Sequence, residues 1–135
     1  MKYLLATLLV SFCSLACFAQ ESATYRACSD RANTQAEMSA CAGEEAAHVE
    51  EKLNTTCREL LSKASGQPDA ITKIKAAEKA WIAYRDAYIE ATYPAKDKAV
   101  EYGSMYPLDL ALLRAKLTER QIAALEDMLQ RYSPK

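Results

Sequence analysis

From Met38 to Ala64 the apolar residues Met38, Cys41, Ala42, Val49, Leu53, Cys57, Leu60 and Ala64 fall on a three-or-four spacing. Held over so many residues, that period describes one face of an α-helix and excludes a strand, whose faces alternate every second residue. Two further runs behave alike. Ile71, Ile74, Ala77, Trp81, Tyr84, Tyr88 and Ala91 form one seam, and Leu110, Leu113, Leu117, Leu125 and Met128 another. The composition agrees, with 25 Ala and 15 Leu against 3 Gly and 4 Pro in 135 residues. A β-sandwich or barrel needs more turn residues, and a chain of this length suits one domain. The fold class expected is all-α: a single small antiparallel bundle of three to four helices, stapled by one disulfide.

Local signals predict where the helices begin and end. Thr34-x-x-Glu37 is a capping-box pattern, so the first long helix is expected to start there. Ser65-Gly66-Gln67-Pro68 stops it, Asp69 is placed as the cap of the second helix, and Tyr93-Pro94 ends that one. Residues 94–107 carry no period, although Ala95 to Tyr102 suits a short helix and Gly103-Ser104 a break. The last helix is expected over Leu108 to Tyr132, with a second capping pattern at Thr118-x-x-Gln121 dividing it near Lys116. Residues 34–132 thus form the helical domain, and the polar, aperiodic residues 20–33 are read as an extended N-terminal arm.

Residues 1–19 read as a signal peptide: Lys2, an apolar stretch from Leu4 to Cys13, and small residues ending at Ala19. The apolar stretch is far short of the roughly 20 residues that span a bilayer. The chain is therefore expected to be exported, with the periplasm as destination. The alternative is a lipoprotein anchored through Cys17, with Ser14-Leu15-Ala16 before it. The net charge of −1 leaves no basic footprint for a nucleic-acid partner. Charge is unevenly spread, however. Glu37, Glu44, Glu45, Glu50 and Glu51 occupy a stretch that contains no Lys or Arg. A solvated face is one reading of that run, and a docking surface for a cationic protein is the other.

Beyond the leader stand Cys28, Cys41 and Cys57, an odd number that allows one intrachain disulfide and leaves one thiol. The short Cys28–Cys41 loop is the preferred pair, with Cys57 buried at a helix seam. The alternative, a metal site, has no C-x-x-C or H-x-x-H spacing behind it, and neither metal nor cofactor is expected. His48, the only histidine, follows Glu44 by one helical turn and reads as a solvated side chain. No serine or cysteine has a matched base, and no glycine-rich phosphate loop is present, so the chain is not read as an enzyme.

Several segments taken in order resemble a known family. They are Cys28, Thr34-Gln35-Ala36-Glu37-Met38-Ser39-Ala40-Cys41, Leu53-Asn54, Ala80-Trp81-Ile82-Ala83-Tyr84-Arg85-Asp86-Ala87, Gly103-Ser104-Met105 and Leu117-Thr118-x-Arg120. Together they look like the LprI-type lysozyme-inhibitor domain, a small secreted helical domain of bacteria. The family often has a second cysteine pair, whose places here hold Ile89 and a residue near Leu112–Leu113. The resemblance implies a non-enzymatic binding protein that occludes lysozyme. The competing expectation is a periplasmic interaction module for an envelope component or partner protein.

The motif residues Trp81, Tyr84, Arg85 and Asp86 are read as structural. Trp81 and Tyr84 pack in the core, and Arg85 lays its stem on the seam and pairs with a carboxylate such as Glu78 or one on the first long helix. Candidate partner-binding residues are Glu44, Glu45, Glu50 and Glu51, which would steer a cationic lysozyme, and Tyr102 and Tyr106, which would enter its cleft.

Overall fold

A computed structural model describes residues 21–132; the expected leader, its expected cleavage site and Cys17 lie outside the described residues. Five helices follow one another: α1 (Ala23–Ser29), α2 (Gln35–Lys63), α3 (Pro68–Thr92), α4 (Lys98–Tyr102) and α5 (Tyr106–Tyr132), with one 3₁₀ turn, Gly103–Met105, before α5. Among the described residues there are no strands.

The capping box forms as the sequence predicts. The Thr34 hydroxyl accepts from the Glu37 amide at 3.2 Å, and the Glu37 carboxylate accepts from the amides of Thr34 at 3.0 Å and Asn33 at 2.7 Å. Those amides, first Asn33 and then Thr34, hold the Glu37 carboxyl below its ordinary range. Pro68 opens α3 as its first residue, where its missing N–H costs nothing and its fixed φ suits a helix. Gln67 is therefore the capping position and Asp69 lies within the first turn, not at the cap.

Two other boundaries differ from expectation. Residues 23–29 are helical rather than extended, because tertiary contacts compensate for a weak local pattern. Ser22 caps α1 through the Tyr25 amide, Tyr25 is buried, and the Cys28–Cys41 disulfide ties the helix to α2. The second correction concerns Thr118, which caps nothing. It is buried within an uninterrupted α5, since only a continuous helix brings Ala115, Ile122 and Leu125 onto one inward stripe.

The three long helices run up, down and up. Cys57 meets Glu78 and Glu50 meets Arg85, so stepping seven residues back along α2 moves seven forward along α3. α2 and α5 run in the same direction, from the neighbourhood of Ala42 and Leu108 to that of Lys52 and Glu126. These two are the closest pair in the fold. Their core holds Val49, Leu53, Leu60, Ile122 and Leu125, with Leu60 fully buried. A second, smaller cluster of Tyr25, Cys41, Ala42 and Leu108 seats α1 beside the disulfide.

α3 joins the bundle on a stripe one step away from the expected seam. Ile74 and Ile89 are buried and Trp81 packs partly buried against the main core. Tyr84, by contrast, is 56% exposed and Tyr88 40%, their rings leaning on each other at 5.9 Å. The expectation of core packing therefore fails for Tyr84 and holds in part for Trp81. Glu78 and Arg85 occupy the inward positions that hydrophobicity assigned to Ala77 and Tyr84. Each finds a polar partner on α2, which removes most of the cost of turning a charge inward.

Candidate functional site

The solvent-facing chemistry gathers at one end of the bundle, where the first half of α2, the second half of α3 and the start of α5 converge. The Arg85 side chain, 13% exposed, ties this region together. Its Nε and Nη2 both meet the Asp86 carboxylate at 3.0 Å, and Nη1 approaches Glu50 at 3.6 Å. Its guanidinium carbon lies 5.1 Å from the centre of the Trp81 ring, a cation–π contact. The predicted pairing of Arg85 with a carboxylate of the first long helix is Glu50. Glu78 is engaged elsewhere, accepting from the Cys57 thiol.

Beside Arg85 opens a groove of about 470 Å³ lined by Gly43, Ala46, Ala47, Glu50, Arg85, Pro107, Leu110, Ala111 and Arg114. Its floor is open because α2 and α5 present small residues there. Sequence reasoning missed this feature. The signal was the cluster Gly43, Ala46 and Ala47 on one helical face, but which element stood opposite was not readable locally.

The acidic face on α2 is smaller than the sequence implied. Glu44 and Glu51 are exposed and Glu50 is half-buried. Glu45 is only 7% exposed. Its carboxylate accepts from the Ser22 hydroxyl at 2.6 Å and from the Ser22 amide at 3.3 Å, holding the start of α1 in place. Burial followed by the charge of Glu45 raises the Glu119 carboxyl, and Lys52 opposes them. His48 is exposed and lines a shallow cavity with Glu44 and the disulfide. Among the described residues no group of three or more His, Cys, Asp or Glu is placed to hold a metal ion.

Tyr102 and Tyr106 are half-buried and turned toward each other and toward Tyr93, with ring centroids 5.1 to 5.8 Å apart. The Ala95 amide donates to the Tyr102 hydroxyl at 3.1 Å. Lys98 closes the loop by donating to the Tyr93 carbonyl at 2.7 Å and pairing with Glu90 at 3.0 Å. Burial, and then the charge of Asp109, pushes the Tyr93 phenol above its usual value. The tyrosines hold this segment together, and its projecting apolar side chains are Val100, 80% exposed, and Met105. Gly103, with φ +68°, permits the tight passage from α4 into the 3₁₀ turn.

The other cysteine predictions hold. Cys28 and Cys41 are bridged, and Cys57 is a free, buried thiol. Burial above all, reinforced by the hydrogen bond to Glu78 and its charge, pushes that thiol up to about 12. A thiol so held is a packing group, not a nucleophile.

The described residues form a disulfide-latched helical bundle with a groove beside Arg85. The family model for the lysozyme inhibitor LprI matches residues 27–125, from just before the first bridged cysteine to the last buried leucine of α5. The chain belongs to that family. No curated protein and no solved structure matches it. Among the described residues no helix is long and apolar enough to cross a membrane.

Proposed function

We propose that the protein is an exported inhibitor that occludes the cleft of a lysozyme by binding alone, with no covalent step. The observation that carries this reading is the family match, which spans the disulfide, α2, α3, most of α5 and the groove. The exposed acids of α2, Glu44 and Glu51 with Glu50 at their edge, suit the approach of a cationic enzyme, because long-range charge raises the encounter rate. The segment between α3 and α5 supplies contact: Tyr93, Tyr102 and Tyr106 hold it rigid while Val100 and Met105 project. A preformed segment loses little entropy on docking.

The test is a cell-wall lysis assay with c-, g- and i-type lysozymes and the purified protein. Slowed lysis by at least one class at micromolar inhibitor is expected. No slowing of any class would favour an envelope-binding interaction module instead. Where inhibition occurs, charge reversal of Glu44 and Glu51 should slow association and lose its effect as salt rises, since exposed charges are screened over about 8 Å at physiological ionic strength.

A further inference from the structure

We infer that the groove between α2 and α5 is a docking site for an acidic side chain carried between apolar neighbours on a partner protein. The floor is apolar and small-residued, and the charged groups stand at its edge. Two of those groups are guanidiniums, Arg85 and Arg114, and one is a carboxylate, Glu50; Asp86, outside the lining, takes the Nε edge of Arg85. Arg114 is exposed, with no ion pair or hydrogen bond to any of the described residues. Arg85 is already oriented by Asp86 and the Trp81 ring, while its Nη1 stands 3.6 Å from Glu50, beyond hydrogen-bond length. Nη1 of Arg85, the one loosely held nitrogen of a guanidinium otherwise occupied by Asp86, and the unpaired guanidinium of Arg114 suit a carboxylate better than a cation or a neutral amide. A concave site of this size accepts a protruding side chain with its apolar flanks, and does not itself enter another protein's cleft. The surface is therefore distinct from the projecting segment assigned to lysozyme above.

The probe is a capped peptide, acetyl-Ala-Leu-Glu-Leu-amide, with its Leu-Gln-Leu counterpart as control. Binding to the purified protein is followed by NMR shifts of the Arg85 and Arg114 Nε–H groups and by fluorescence of Trp81. The Glu peptide should shift these signals saturably in the millimolar range, and the Gln peptide should bind about tenfold more weakly. Arg114→Gln, a substitution at an exposed position, should abolish most of that difference. Glu50→Gln should strengthen Glu-peptide binding by removing the competing carboxylate. Equal binding of the two peptides would reduce the site to an apolar groove and overturn the inference, as would the absence of saturable shifts. Indifference to both Arg114→Gln and Glu50→Gln would overturn it as well. Neither peptide is a lysozyme, so this outcome and that of the lysis assay are independent.

Discussion

α2 and α5 hold each other by apolar contact, with the Lys52–Glu126 pair lying exposed at their edge, whereas α3 meets α2 through the less exposed pairs of Glu78 and Arg85 as well. The first interface is built from Val49, Leu53, Leu60, Ile122 and Leu125. The second sets Ile74, Trp81 and Ile89 among Glu78 and Arg85, which meet Cys57 and Glu50. The difference divides labour within one small domain. Non-directional burial supplies stability along α2 and α5, and directional contacts set the rotation of α3. That rotation places Arg85 at the groove and leaves Tyr84 and Tyr88 on the outside.

The sharpest way to break this comparison is to truncate each side. Leu60→Ala removes a side chain with no exposed surface, and a loss of about 2–5 kcal/mol is expected by urea denaturation. Trp81→Ala should cost less despite the larger side chain, because Trp81 is only partly buried. Equal losses would mean that α3 leans on the shared apolar core as heavily as α2 and α5 do. Replacing Cys28 and Cys41 by serine opens a loop with a sequence separation of 13, worth about 3 kcal/mol in the chain-entropy model. Hydrogen exchange should then rise first in α1, whose other anchors are Tyr25 and the Ser22–Glu45 contact. Uniform loosening of α2 and α5 would contradict that localisation.

The polar side can be tested through Cys57. At pH 8 the folded protein should react with a thiol reagent at least about a hundredfold more slowly than the unfolded chain, since the thiolate is the reactive form. Because burial is the leading cause of the raised pKa, Glu78→Gln should leave the folded thiol unreactive. Rapid labelling of that variant would show that Glu78, not burial, protects Cys57.

The smallest effect concerns pH. The Glu119 carboxyl is raised by burial and by Glu45, so the folded state holds its proton more tightly than the unfolded chain does. Its favourable contribution is complete below the unfolded value of about 4.3 and is lost as pH rises through the folded one. Glu119→Gln should therefore gain stability at pH 7 relative to pH 4, by no more than about 0.5 kcal/mol at this partly exposed position. A loss at pH 7 would reverse the sign.

Helix content, helix ends and the disulfide were largely legible in the sequence. Thr34 and Glu37 announce the start of α2, Pro68 and Pro94 bracket α3, and the periodic leucines mark α5. Each signal works within a few residues through capping, φ restriction or one helical face. The candidate site was less legible. Glu50 and Arg85 were singled out separately, and their meeting was only one of several pairings open to Arg85. Glu45 was grouped with its acidic neighbours, yet it is buried as the acceptor for Ser22, 23 residues earlier. The sequence offers Tyr102 and Tyr106 as residues to enter a lysozyme cleft, whereas their rings close on Tyr93 and leave Val100 and Met105 outward.

What the sequence determined by itself is a helical chain with three long segments, their turns and a short covalent loop, because propensity, capping and spacing are local properties. What only the tertiary structure decided is the facing of each helix. Hydrophobicity alone turns Ala77 and Tyr84 inward on α3; the fold turns Glu78 and Arg85 inward instead, because Cys57 and Glu50 on α2 stand there to receive them. Residues 23–29 likewise become a helix only because α2 supplies Cys41 and Glu45. For Glu45 and Glu78 a partner on another element, more than twenty positions away in the chain, offsets the cost of turning a carboxylate inward.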